Sequence, residues 1–357
     1  MPVEETFWNP YRMIPVTNKD RKPPITHEKF QGQSGFITCS LTNLTPLFIG
    51  GNKEFGENFL IRLSDRKQII QGTSLKGMLR SLSEIVGGGC MLITSKRLAC
   101  NNIESLCIAC RMFGMIEKKR NARIHQGKVS IGDAVICTEN PETERFQIIL
   151  DRPKTHHEAF YVTPDTGKFD NKSRKYYFHQ AKRTNSVPPV PQAIQYNAKH
   201  INAILPGHSF KFTVQFTNLD DQELSLLLYV LALEDEVNVE IKETKEKLRG
   251  PLRHKLGNAK PLGLGSCHIS VEKLVFLEEP KKRFLSLKKS REIEITGDDL
   301  KNKINDMTIS FKKDNSKNMQ QLRKMTVWDE SDERVFKYPG KGWFDNRENS
   351  QKRLKAI

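Results

Sequence analysis

Four cysteines fall in one stretch of the chain, Cys90-x9-Cys100-x6-Cys107-x2-Cys110. A Cys-x2-Cys knuckle sets two thiolates on one tetrahedral ion, and two more complete a structural zinc site. The outer spacing is irregular, so Cys90 is the least constrained of the four and His125 could replace it. The alternative is a group of buried thiols; a redox pair fits less well, because no thioredoxin-like βαβ pattern surrounds the knuckle. A second group is Gly72-Thr-Ser-Leu-Lys-Gly-Met-Leu-Arg80, which opens a run of helical periodicity. A helix N-terminus offers unpaired N–H groups and a positive dipole end, both suited to a phosphate. Thr73 and Ser74 add hydroxyls, and Lys76 and Arg80, four residues apart, share a face. The Gly-Lys-Ser/Thr ending of a nucleotide-triphosphate loop is missing. A third group is Lys260-Pro-Leu-Gly-Leu-Gly-Ser266, where Gly263 and Gly265 allow close backbone approach and a nest of N–H groups for an anion. Arg249, Arg253, His254 and Lys255 precede it and favour a phosphate contact. In a fourth group, Lys172-Ser-Arg-Lys-Tyr-Tyr-Phe-His179 followed by Lys182-Arg183, cations and aromatics interleave. That pattern suits single-stranded RNA, by backbone neutralisation and base stacking, or else a hairpin docked on its own domain.

No catalytic set stands out. Gly-x-Ser-x-Gly, His-Glu-x-x-His and paired-carboxylate patterns are absent. His156 and His157 are adjacent and would point to opposite sides of a strand. The loop after Gly50-Gly51 carries Glu54, Glu57 and Asp65. One such acid beside an RNA phosphate could assist metal-dependent strand cleavage, though most acids in loops are simply solvated.

These groups need elements to position them. Residues 36–49 alternate as a strand, with Pro46 near its end. Leu75, Met78, Leu79, Leu82 and Ile85 recur at helical spacing; Thr73 or Ser74 can cap the start, and Gly87-Gly88-Gly89 ends the helix. A strand is expected at 128–137 and another at 210–216, followed by a helix over 223–233 capped between Asn218 and Asp221. The second glycine loop leads to a strand over 268–276. Strand, loop, helix and later strands thus occur twice, which fits an α+β, ferredoxin-like arrangement around an antiparallel sheet. Cys39, Cys137 and Cys267 lie on expected strands and should be core.

The chain has 357 residues, 58 Lys and Arg against 42 Asp and Glu, and a net charge of +16. Such an excess points to a polyanion, nucleic acid first. Half of the surplus lies in residues 281–357, with 20 Lys and Arg against 12 Asp and Glu. Apolar runs are too short to span a membrane, and no secretory signal opens the chain, so a reducing cytoplasm is expected. We divide the chain into an N-terminal arm (1–35), a core (36–276) with a cysteine-bearing insertion at 90–127 and a second insertion at 139–205, and a basic extension (277–357). The extension is expected to dock as an extended arm with a weak helix.

Asn9-Pro-Tyr, Leu44-Thr-Pro-Leu-Phe-Ile-Gly-Gly51, Gln71-Gly-Thr-Ser-Leu-Lys-Gly-Met-Leu-Arg80, Cys107-x2-Cys-Arg-Met-Phe-Gly114, Arg174-Lys-Tyr-Tyr-Phe-His179 and Lys260 to Ser266 occur in this order. Together they resemble the RAMP superfamily of CRISPR-associated proteins, in particular the Cas family seven-like backbone subunit of type III effectors. The resemblance covers residues 9–276. It implies an RNA-recognition-motif-like, ferredoxin-like core with a β-hairpin thumb, here the 139–205 insertion, and a zinc-stabilised loop. It implies CRISPR RNA, target RNA and other effector subunits as partners, with the guide kinked every sixth nucleotide. The RNA-contacting set is then Thr73, Ser74, Lys76, Arg80, Arg111, Arg174, Lys175, His179, Lys255, Lys260, Gly263, Gly265 and Ser266. The zinc set is Cys90, Cys100, Cys107 and Cys110. Some relatives cut target RNA with an aspartate in the loop after Ile-Gly-Gly. Here that place holds Glu57 or Asn58, with Asp65 further on, and Mg²⁺ would be needed if either acid worked. Gln71 stands where the family usually has Pro. A CRISPR RNA-processing nuclease using His179 is a further alternative.

Overall fold

The computed structural model describes residues 8–17, 21–50, 59–90, 99–150, 160–161, 173–183, 198–241, 245–279, 285, 292–334, 336–338, 343, 346–350 and 352. In chain order come β1 (Tyr11–Pro15), β2 (Gln33–Asn43), β3 (Ile69–Ile70) and α1 (Gly72–Val86). Then follow α2 (Ile108–Phe113) and a small hairpin, β4 (Met115–Ile116) with β5 (Ile124–His125). Next are β6 (Val129–Ile131), β7 (Ala134–Ile136), β8 (Thr143–Ile148), β9 (Ser173–Tyr177), β10 (Lys199–Ile204), β11 (Ser209–Leu219) and α3 (Asp221–Ala232). The last part holds β12 (Val237–Ile241), β13 (Glu246–Gly250), β14 (His254–Lys255), β15 (Ser266–Leu277), β16 (Glu292–Ile295), α4 (Gly297–Lys312) and α5 (Lys317–Thr326).

The main sheet is antiparallel and runs β14-β15-β2-β11-β7-β3, with β6 beside β11 and β16 beside β15. Strand alternation decides its inner face. Along β11, Phe210, Phe212, Val214 and Phe216 are buried while Lys211, Thr213 and Gln215 are exposed. Ile37, Cys39 and Leu41 on β2 join the same core. The apolar stripe of α1, Leu75, Leu79, Leu82 and Ile85, packs there too. Asp220 and Glu223 form a reciprocal capping box at the start of α3. The chain is therefore a mixed α/β protein built on one antiparallel sheet.

Local sequence misled in four places. The start of α1 is not capped by Thr73 or Ser74. The Gly72 N–H donates to the Asp133 carboxylate (2.7 Å), which arrives from the β6–β7 turn. The N-terminal segment is not only an extended arm: β1 pairs antiparallel with β9, Tyr11 opposite Tyr177. Cys39 and Cys267 are core, but Cys137 is exposed, because β7 ends at Ile136. The basic extension is not an arm with a weak helix. It folds as α4 and α5, and Leu300, Met319, Leu322 and Met325 enter the same buried cluster as Ile37 and Leu75. Within the 139–205 stretch, β8 and β10 form an antiparallel stem (Ile148 opposite Lys199). His156 and His157 lie outside the described residues, as do Glu54, Glu57 and Asn58.

Candidate nucleic-acid interface and cysteine cluster

A cleft of about 490 Å³ opens between α1, β9 and the loop around β14. One flank of α1, with Ser74, Gly77, Met78 and Ser81, forms one wall. Arg174, Lys175, Tyr176 and Tyr177 of β9 form another, and Arg253 to Asn258 with Lys260 the third. Thr326, at the end of α5, closes one side. Among the described residues, five that line it are Lys or Arg and none is Asp or Glu. The second, third and fourth sequence groups thus meet at one place, although they are far apart along the chain.

Burial works against the charge of the basic side chains that line the cleft. Burial pulls Lys255 down from the ordinary lysine range to about 7 and also lowers Lys260. Burial lowers Arg174 and Arg253 as well. Arg174 Nε and Arg253 Nε have no acceptor among the described residues. Cations held this way gain when an anion arrives.

The glycine loop orients Lys255. Gly265 has φ +79°, and a Cβ there would stand 1.8 Å from the Leu256 carbonyl oxygen, so only glycine fits this turn. The turn brings Gly263 O and Ser266 Oγ to Lys255 Nζ, at 3.1 and 2.9 Å. Ser266 itself is fully buried. His179 Nε2 lies 3.1 Å from the Arg253 carbonyl oxygen, which can only accept, so Nε2 carries the proton. Its Nδ1 then accepts from the Ser266 hydroxyl (2.8 Å). Burial holds His179 well below its usual range and therefore neutral. His179 is a buried strut behind Lys255, joined to it through Ser266.

Other members of the expected RNA set stand elsewhere. Thr73 is exposed outside the cleft. Lys76 and Arg80 lie on the neighbouring flank of α1, not in the cleft lining. Arg80 turns to the protein: its guanidinium donates to Glu84 (3.2 Å), Gly114 O (3.1 Å) and Cys110 Sγ (3.4 Å). The α1 N-terminus holds Asp133, so the helix offers a flank rather than its end. Arg111 is buried and bound to Glu223 (2.9 Å), which also takes Lys128. Lys175 sits on the rings of Tyr11, Tyr161 and Tyr177, with Nζ 3.7 Å from the Tyr11 centroid. Asp65 is tied to Arg62 in a tight turn, and that ion pair holds its carboxyl down near 2. Sequence reasoning included Gly77 in the Gly72–Arg80 motif but gave it no role, and it missed Ser81, Asn258 and Thr326, which lie in no motif and are recognised only by where the helices and loop place them.

Cys90, Cys100, Cys107 and Cys110 converge, all buried, with their sulfurs within 4.8 Å of one another. Cys90 Sγ and Cys110 Sγ are 3.4 Å apart. Tetrahedral zinc at its usual Zn–S length sets sulfurs about 3.8 Å apart, so the quartet has the right span. Donors also suit thiolates: Cys90 N–H points to Cys107 Sγ and Cys107 N–H to Cys100 Sγ, both 3.3 Å, and Arg80 reaches Cys110. Hydrogen bonds within the quartet, Cys100's foremost, push the Cys107 thiol down and Cys110 and Cys90 up. Thiolates must form for a metal to bind, and the Cys90 and Cys107 N–H groups and the Arg80 guanidinium stabilise them. The cluster could hold a metal such as zinc. His125 is not a member: its Nε2 lies 2.9 Å from the Arg111 carbonyl oxygen. Among the described residues no carboxylate cluster offers a place for Mg²⁺, and no helix is long and apolar enough to cross a membrane.

No curated protein matches the chain. The family model of the RAMP superfamily matches residues 40–268, well over half of the sequence. That span contains α1, the cysteine quartet, β9 and the glycine loop, three of which wall the cleft. With its sequence and its site in agreement on that span, the chain belongs to the RAMP superfamily.

Proposed function

We propose that this protein is a CRISPR RNA-binding backbone subunit of a type III RNA-guided interference complex, of the Cas family seven kind. It grips guide phosphates in the α1–β9–loop cleft and positions target RNA for pairing. The observation that carries this reading is a cleft lined, among the described residues, by five Lys or Arg side chains and no carboxylate. Membership of the RAMP superfamily supports a CRISPR-associated, RNA-binding role. Two helix-linked strand pairs, in the order β15-β2-β11 with β6 and β7 beyond, support a ferredoxin-like core. The β8–β10 stem supports the thumb reading. In such a complex the protein holds backbone and shape, and base pairing reads sequence. Arg174, Arg253, Lys255 and Lys260 would meet phosphate oxygens, Ser74 and Ser81 offer hydroxyls to riboses, and Tyr176 and Tyr177 flank bases.

A holding role fits better than cleavage through Asp65 or His179. Asp65 is committed to Arg62, and His179 is buried behind Lys255.

The test is fluorescence anisotropy with labelled single-stranded RNA across a salt series. Binding should weaken steeply with salt, and Arg253→Ala and Lys260→Ala should each cost roughly three- to tenfold and reduce the log–log salt slope by about one. Unrelated RNA sequences should suffer alike. Salt-insensitive binding, or a loss confined to one sequence, would overturn the reading.

A further inference from the structure

Glu84 is 1% exposed and sits on the last turn of α1, outside the cleft lining. Its two oxygens serve different guanidinium groups. One accepts from Arg80 Nε at 3.2 Å, and the other is paired with Arg174. Arg80 in turn donates to Cys110 Sγ of the quartet, and Arg174 forms part of the cleft wall. A continuous chain, Cys110–Arg80–Glu84–Arg174, therefore joins the cysteine quartet to the cleft. The backbone repeats the link. Gly89 N–H donates to the Glu84 carbonyl oxygen (2.7 Å), and the next residue is Cys90. A side chain at Gly89 would strike Glu84, its Cβ 2.9 Å from the Glu84 Cα.

We propose that Glu84 is a positioning residue for nucleic-acid binding: through Arg80 it takes its place from the cysteine quartet, and it aims the Arg174 guanidinium into the cleft. This rests on the reading of the cleft as the RNA site. The chemistry gives it a distinctive sign. Glu84 is a negative charge close to a cationic cleft, and by charge alone its removal strengthens phosphate binding. As the residue that holds Arg174, its removal weakens binding, because a guanidinium grips phosphate only from a fixed fork geometry. The quartet enters in the same way. With a metal bound its thiolates would be anionic and hold Arg80 by a charge-assisted bond; without one, a neutral Cys110 thiol is a weaker acceptor for Arg80 and the chain loosens.

The full-length protein is purified with zinc, its metal content is measured by mass spectrometry, and binding is read with a labelled single-stranded RNA. Glu84→Gln should keep the metal and its melting transition yet weaken RNA binding roughly tenfold, the scale of one charge-assisted contact. Arg80→Gln should weaken binding similarly and Arg80→Lys should restore most of it. Chelation should weaken binding by the wild type and much less by Glu84→Gln. If Glu84→Gln does not fold, the Arg80 pair decides: unchanged binding by folded, metal-loaded Arg80→Gln overturns the proposal. Equal or tighter binding by folded Glu84→Gln, while Lys260→Ala weakens it, overturns the positioning role alone. Unchanged binding by both Glu84→Gln and Lys260→Ala overturns the cleft reading and the positioning role with it.

Discussion

At the residue scale, Gly77 shows how a site can be written in what is missing. It stands inside α1, where glycine costs roughly 0.5–1 kcal/mol relative to alanine. No packing demands it: a Cβ there would meet nothing within 4 Å. Its bare backbone lines the cleft between Ser74 and Ser81, where a ribose-phosphate strand can come close. Gly77→Ala should therefore raise stability by about 0.5–1 kcal/mol in urea unfolding and at the same time weaken RNA binding. An alanine variant both stabler and equally tight would remove Gly77 from the interface. Residues of this kind divide on legibility. Lys255 and Lys260 were readable because cations beside a glycine turn form a local pattern. The contacts of Glu84 with Arg174 and of Asp133 with Gly72 were not, because these partners lie on other elements and no sequence window holds both ends of such a contact.

At the scale of elements, periodicity placed α1 and β11 well, since each buries one face and the core enforces the register. It could not show that α1 presents its flank to the cleft while its N-terminus takes Asp133. The loop from Leu256 to Ser266 was legible as a turn, and folding adds a titration to it. Lys255 has Lys260, the Cys267 thiol and, through Ser266, His179 around it, and burial brings it from 10.5 to about 7. In the unfolded chain it keeps its proton to about 10.5, so between these values the unfolded state binds more protons and the RNA-free protein gains stability as pH rises. A phosphate beside the amine works the other way. It raises the bound-state value, so binding takes up a proton and affinity falls as pH climbs above about 7. Anisotropy at about pH 7 and pH 8.5 should show a loss approaching tenfold per pH unit at most, and Lys255→Met should bind weakly with a flat profile. A Lys255→Met profile as steep as the wild type would assign the titration to another group.

At the scale of the whole molecule, the basic C-terminal region is where composition concealed structure. Lys, Asn and Asp dominate it, yet Leu300, Ile304, Met307 and Phe311 recur at helical spacing, and so do Met319, Leu322 and Met325. These few apolar residues suffice because α3 is apolar on nearly every side and needs a second cover; Tyr229 meets Phe311 with ring centroids 5.2 Å apart. A buried network then locks the layer. Arg323 donates to Glu234 (2.8 Å), which also takes the Tyr229 hydroxyl (2.7 Å). The same guanidinium caps the end of α4 through the Phe311, Lys312 and Asp314 carbonyl oxygens. Asn318 donates to the Ile85 carbonyl oxygen at the end of α1, and the Arg253 N–H donates to Thr326 O, both 2.8 Å. The segment that carries Arg253 into the cleft is thus fastened to α5. Leu322→Ala should cost about 2–5 kcal/mol in urea unfolding, because Leu322 is fully buried within the main core cluster. RNA affinity should fall with it while the salt slope stays close to the wild type, since no charge has been removed. A tail that acted only as a basic arm would give the opposite pattern: unchanged stability for Leu322→Ala, and a reduced salt slope when its exposed lysines are neutralised.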